Sequence, residues 1–436
     1  MVRQRRGTMA ALALVLLAAA CTGDDGGSAD GDGGGAAVDG ETIEVAATWT
    51  SPEQERFQLV LDGFAEQSGA DVRFLSAGDD IAAFVGPRIE GGDPPDVAML
   101  PQPGVLQSFA DQGDLIEIED VAGDELDQNF SEAAREVGSA DGTLYGVWFK
   151  AAQKSTVWYN TNVFADAGVK PPATWDDLVA AGQTISDSGV EPYSIGGADG
   201  WTLTDLFENI YLRTAGPEKY DQLAAHEIPW TDRSVKEALA TMADVLENDK
   251  IAGGVSGALQ ADFNTSVTQA FSDPPEGAVV FEGDFVGGII SGETDATLGK
   301  DADFFDFPSI DGSENVVVGG GDIAVLLKDS EGGKALIEYL ATPEAAEIWA
   351  AEGGFISPNR QVDLSAYTDE VSRRAAEALA DAGDDVRYDL SDLQPTEFGA
   401  TTGQGMWGIF QDFVRDPDDV DGTAEALEAA AKQAYS

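Results

Sequence analysis

In 436 residues there is one cysteine, Cys21, and one histidine, His226, while 24 lysines and arginines stand against 80 aspartates and glutamates. One cysteine excludes a disulfide within the chain, whatever the redox state of its surroundings. One imidazole and one thiol exclude a His/Cys metal cluster. A Ser-His-Asp site would have to use His226, and its setting, "AAHEIPW", contains no nucleophile elbow. The net charge of −56 repels phosphate backbones and anionic membrane surfaces, so nucleic acid is no expected partner. An acidic surface of this kind chiefly aids solubility and identifies no ligand. Neither a cofactor nor a metal is expected.

What is present is a globular composition, 43% hydrophobic, on a chain longer than one core usually supports, so two lobes are expected. The start, "MVRQRRGTMAALALVLLAAAC", has arginines at 3, 5 and 6, then an apolar run too short to be retained as a membrane-spanning helix, then small residues up to Cys21. Residues 1–20 read as an export signal. Residues 21–41, rich in Gly and Asp, read as a flexible tether. The arrangement resembles a bacterial lipoprotein signal, which implies that Cys21 becomes the lipid-bearing first residue and holds the protein on the outer face of the cell membrane. Ala18 stands where that pattern prefers leucine.

Folded sequence begins near Thr42. "TIEVAATW" alternates Ile43, Val45, Ala47 and Trp49 onto one face of a strand; "SPEQERFQLVLDGFAEQSG" places Phe57, Val60, Leu61 and Phe64 at helical spacing. Ser51 is the expected N-cap, Pro52 the first helical residue and Gln54 the partner in a capping box. "DVRFL" and "PDVAML" read as strands around a helix at 79–90, with Asp96 as a turn residue. After residue 155 the same alternation returns: a strand "STVWYN", helices capped by Thr174 with Asp177 and by Thr202 with Asp205, the strands "GAVVFEGDF" and "DIAVLL", and a helix capped by Thr342 with Pro343. Strands alternating with helices imply an α/β fold with a largely parallel, helix-covered sheet, and no fixed repeat suggests a solenoid.

"GVWFKAAQKSTVWYNTNVFADAGVKPPATWDDL" and "ALIEYLATPEAAEIWAAEGGFISPN" resemble, in order, segments of the solute-binding proteins of bacterial ABC importers. That resemblance implies the two-lobed periplasmic-binding-protein-like fold, with 42–149 and 312–356 in one lobe and 150–311 and 357–436 in the other. The lobes would close on a ligand about a multi-strand hinge. It implies further a monomer that serves a permease and ATPase complex. "GWTLTDLFENIYLRTAGPEKYDQLAAHEIPWTD", "GGGDIAVL" and "YDLSDLQPTEFGATTGQGMWG" are similar to the carbohydrate-binding subgroup that takes up α-glucosides such as maltose, sucrose or trehalose.

A sugar cleft combines aromatic platforms with a few hydrogen-bonding groups. The expected ligand residues are Trp49, Glu53, Trp148, Lys150, Trp201, Asp205, Glu282, Asp284, Asp322 and Trp407. Trp148 and Lys150 lie on the crossing that the resemblance implies, and Asp322 follows glycines 319–321, which would let backbone approach a ligand. Structural readings stand beside these: core packing for Trp148, dipole chemistry for Glu53, a solvated turn for Glu282 and Asp284, and a capping box with a packed helix start for Asp205 and Trp201. Trp158 and Tyr159 are expected in the core. The other functions to be separated from sugar capture are binding of peptides or amino acids, glycoside hydrolysis by a secreted enzyme, and surface adhesion.

Overall fold

The computed structural model describes residues 38–78, 80–313, 316–382 and 386–436. The export signal, Cys21 and nearly all of the tether lie outside the described residues.

Eleven strands organise the described chain: β1 (Thr42–Ala47), β2 (Asp71–Ser76), β3 (Val97–Leu100), β4 (Ser139–Ala140), β5 (Thr143–Leu144), β6 (Gly146–Gln153), β7 (Thr156–Asn160), β8 (Val279–Phe281), β9 (Ala302–Asp306), β10 (Val317–Leu326) and β11 (Val386–Tyr388). β1 pairs in parallel with both β2 and β3, the order that helix-linked strands impose. β10 runs antiparallel to β3 and β6 and parallel to β11, which completes a mixed six-stranded sheet. A three-stranded antiparallel sheet is ordered β8-β7-β9, and β4 and β5 form a short hairpin. This is a two-lobed α/β fold.

The large sheet is covered on both faces. Ile43, Val45 and Ala47 enter one core while Ala46, between them, enters another beside Ala98 and Leu100. The alternation visible in the sequence therefore reports only one of two buried faces. A further core gathers around the helix Trp201–Ala215, with Leu203, Phe207 and Tyr211 fully buried.

Several helix starts follow the sequence: Thr174 accepts from the Asp177 amide and Thr342 from the Ala345 amide. Two do not. The first helix is Glu53–Ser68 and no side chain caps it, because the Ser51 hydroxyl donates to Glu55 Oε1 at 2.9 Å instead. The helix expected to begin at Thr202 begins at Trp201 behind Gly200; Thr202 Oγ1 donates to the Gly196 carbonyl and Asp205 faces a lysine. The capping-box account of Asp205 is thereby replaced by an ion pair. The helix expected over 79–90 spans Ile81–Glu90, capped by Asp80, with Asp79 outside the described residues.

Candidate functional site

β6 is an eight-residue strand whose alternate side chains share a face, so Lys150 and Ala152 point the same way, and Lys154 just beyond its end continues the row. These residues form the floor of a cavity of about 340 Å³. Its walls come from separate parts of the chain. Trp49 and Glu53 follow β1, Trp201 and Asp205 open the helix after Gly200, and Asp322 sits midway along β10. Trp407 and Asp392 come from the C-terminal segment. The expected residues Trp49, Glu53, Lys150, Trp201, Asp205, Asp322 and Trp407 thus line one cavity.

Two glycines permit this approach. Gly200 has φ of 89°, and a Cβ there would lie 2.6 Å from the Trp407 Cβ, so the turn that presents Trp201 packs flush against Trp407. Gly321 has φ of 139°, and its Cβ would meet the Lys150 carbonyl at 1.9 Å. Gly319 to Gly321 pair with Gln153 to Ala151 as part of β10; close approach to β6 is what the glycines supply, and Gly321 alone of the three lines the cavity.

Lys150 is buried inside a cage of rings. Its ammonium lies 5.6 Å from the Trp49 ring centroid and 5.4 Å from those of Phe285 and Trp349, and it donates to Glu53 Oε1 at 2.6 Å. Burial works against the charge, but Glu53 and then Asp322 more than offset it, so the ammonium is held above its ordinary range. Asp322, buried beside it, is pushed up to about 6 by desolvation against the pull of Lys150.

Lys154 is ringed by carboxylates instead: Asp389 Oδ2 at 2.5 Å, Asp205 Oδ2 at 3.2 Å and Asp392 Oδ2 at 3.7 Å. Desolvation opposes its charge and is overcome, first by Asp205 and then by Asp389, leaving it well above the usual lysine range. Glu208 lies beneath, accepting from the Leu390 and Ser391 amides and from the Tyr220 hydroxyl. Burial raises Asp389, but Lys154 together with hydrogen bonds from Asp205 and the Asp392 amide outweighs it and keeps that carboxyl below the ordinary range; Asp205, also raised by burial and close to Asp389, goes the other way. Asp205, Glu208 and Asp389 bring oxygens within 4.8 Å of one another, a spacing compatible with a bound cation, and Lys154 already supplies the positive charge there.

Trp148, Glu282 and Asp284 lie outside the cavity lining. Trp148 lies nearer the start of β6 than Lys150, half-buried against Tyr388 with 6.2 Å between ring centroids. The register of β6 on β10 shifts between Asp322 and Ile323, separating it from Lys150. Glu282 and Asp284 sit in no solvated turn: both are buried, and Asp284 accepts from the Gln153 amide at 2.8 Å. Trp158 is in the core, whereas Tyr159 is only half-buried beside Phe164 and Phe305. Asp96 is buried, accepting from the Glu44 amide and the Ser330 hydroxyl, a structural role.

Lys154, Asp199, Asp262, Phe263, Phe285 and Asp392 line the cavity and were absent from the expected set. Lys154 was within reach of sequence reasoning, because residues 150 and 154 share strand parity. Asp262 and Phe263, at the start of a helix far along the chain, carried no such signal.

The family model for bacterial extracellular solute-binding proteins matches residues 48–347. The osmoprotective compounds-binding protein GgtB of Synechocystis sp. is 33% identical over 398 residues, covering 90% of this chain and 93% of that protein. The chain belongs to the bacterial extracellular solute-binding protein family. Within it, the alpha-glucosides-binding periplasmic protein AglE of Rhizobium meliloti is 32% identical, covering 89% of this chain and 87% of its own. Among solved structures, the bacterial solute receptor AcbH, described as preferring β-D-galactopyranose, superposes with a TM-score of 0.79 at 20% identity, covering 91% of this chain and 100% of that one. A chitin oligosaccharide binding protein gives a TM-score of 0.77, also at 20% identity, over 91% of this chain and 99% of its own. These two likenesses are likenesses of fold.

Proposed function

We propose that this solute-binding protein captures a carbohydrate of the α-glucoside class outside the cell and passes it to the permease and ATPase of an ABC importer. The observation that carries the reading is the pairing, in one cavity, of indole faces from Trp49, Trp201 and Trp407 with acceptor carboxylates from Asp205, Asp322 and Asp392. Aromatic faces suit the C–H side of a pyranose, and carboxylates accept from adjacent hydroxyls. The relation to AglE supports the α-glucoside class. The relation to GgtB favours a second reading, a small osmoprotective solute. An amino acid or peptide fits less well: Lys150 and Lys154 are the only cations among the described lining residues, and both are already ion-paired.

The proposed lobes are 42–149 with 312–356 and 150–311 with 357–436, so that β6 crosses between them and closure is a hinge motion that includes this strand. The proposed anchor is the lipid on Cys21, with the tether between it and the folded body. Changing Cys21→Ser is expected to release the protein from the membrane fraction, and unchanged retention excludes that anchor. A thermal-shift and calorimetric screen over maltose, sucrose, trehalose, glycine betaine and dipeptides tests the ligand class, because a specific ligand stabilises the folded state. A disaccharide is expected to raise the melting temperature and to be recovered intact. Stabilisation by dipeptides alone, or hydrolysis of the sugar, overturns the reading.

A further inference from the structure

Behind the cavity wall, the Glu282 side chain is buried and its residue only 3% exposed, and among the described residues no side-chain donor meets either carboxyl oxygen, the Gly283 amide being the backbone group turned toward it. Asp205, which lines the cavity, is 1% exposed; its Oδ2 also lacks a donor, although it lies 3.2 Å from the Lys154 ammonium. The two carboxyls are within hydrogen-bonding reach of each other. An ionised Glu282 here would be a buried charge with only the neighbouring Gly283 amide turned toward it, which is unfavourable. A protonated Glu282 has one hydroxyl to place, and Asp205 offers an acceptor.

Resting on the sugar-binding reading, we propose that Glu282 and Asp205 hold one proton between them, so that Glu282 is a positioning residue that fixes the Asp205 carboxyl for the ligand. The groups around the pair agree. Lys154 faces it from the link between β6 and β7, Asp389 and Asp392 from the segment after β11, and Glu208 from one turn further along Asp205's own helix, with the Tyr220 hydroxyl on Glu208. Asp284, on the Glu282 segment, is turned to the Gln153 amide and toward Lys150. One ammonium among five carboxyls leaves negative charge to be met by protons. Burial first, and Asp205 next, hold Glu282 well above the ordinary carboxyl range, against the pull of Lys154.

A ligand hydroxyl donating to Asp205 needs that carboxyl held still, and the Glu282 proton holds it from behind. Loss of the proton sets two anions side by side and drives Asp205 off the position.

Calorimetry with trehalose and sucrose from pH 5.5 to 9 tests this, together with infrared difference spectra of the sugar-free protein across the same range. The native protein is expected to lose affinity by at least about tenfold toward the alkaline end, one pKa unit of linkage being a factor of ten. Its carboxylic-acid C=O absorption, to which Asp284 and Asp322 also contribute, should include a further component that disappears over the same interval. Glu282→Gln donates permanently from an amide; it should lack that component while keeping those of Asp284 and Asp322, and its alkaline loss of affinity should be much smaller than the native protein's. Glu282→Leu removes the donor and should bind weakly at every pH, while far-ultraviolet dichroism reports whether it folds. A flat native pH profile, or an unaltered alkaline loss in Glu282→Gln, overturns the proposal. If neither sugar binds, the α-glucoside reading fails separately, and the infrared band in native protein against Glu282→Gln still decides where the proton is.

Discussion

Lys150 on β6 and Lys154 just beyond its end lie four residues apart, Lys150 buried and Lys154 largely so, and are kept charged by opposite means. Lys150 is held by three aromatic rings and one close carboxylate. Lys154 is held by three carboxylates, with the Trp201 ring at 5.8 Å. The difference teaches how a buried ammonium sets the chemistry of its surroundings. Ring faces stabilise a cation without bringing counter-charges of their own, so the Lys150 site needs only one close carboxylate, with Asp322 and Asp284 around it raised by burial. Carboxylates in excess must either share protons or repel one another, which makes the Lys154 site responsive to pH.

That contrast can be broken by removing each charge in turn. Lys154→Met strips the cation from Asp389, Asp205 and Asp392, and a loss of about 3–5 kcal/mol in denaturant unfolding is expected, as for a buried pair that loses one partner. Equal stability to the native protein would mean that the acids are already neutral. Next in size is Asp284, which burial raises to about 7. Below pH 4 it is protonated in folded and unfolded chains alike and contributes nothing. Between about pH 4 and 7 the unfolded chain releases the proton that the folded one keeps, so stability falls as pH rises, by about 4 kcal/mol in all, and levels off above the folded pKa. Asp284→Asn should remove most of that slope in urea titrations, and Asp322→Asn a smaller part ending near pH 6. A variant that keeps the native slope assigns it to the Lys154 cluster.

Lys150→Met should cost less than the Lys154 change, about 2 kcal/mol, because a thioether also packs well against rings and Glu53 retains some contact with solvent. A cost equal to that at Lys154 would remove the distinction between the two sites. The smallest effect on the unliganded protein is expected from Trp201→Ala. Its ring is partly exposed to the cavity, so sugar affinity should weaken by roughly 1–3 kcal/mol with little change in melting temperature. Unchanged affinity with a large fall in melting temperature would make Trp201 a packing residue.

Much of the fold was legible because strand and helix periodicities are local. The helices after Thr174 and Thr342, and β1, β3 and β7, are written in a few adjacent residues each. The reading of the site was limited by register. Trp148 and Lys150 have the same parity, and nothing in the sequence says that a shift on β10 leaves one beside Tyr388 and the other in the cavity. Glu282 reads as a turn residue after an apolar strand, and its burial follows from packing by helices distant in sequence. The Thr202 and Asp205 spacing satisfies a capping box as well as an ion pair to Lys154; only the position of Gly200, which starts the helix one residue earlier, separates them.

The arrangement of β6 and β10 divides the cavity lining into a side built on paired backbone and a side built on helix starts. Along the strands, Lys150 and Asp322 are tied to backbone that pairs residue by residue, and the Gly321 contact tolerates no added side chain, so an insertion or bulky replacement there would disturb the whole sheet. Opposite them, Trp201, Phe263 and Trp407 stand at helix starts, where the chain changes length and direction without breaking a ladder. A shift of preference from one sugar to another is therefore most easily made by remodelling the helix starts, with the charged strands retained as the fixed frame against which any new ligand is measured.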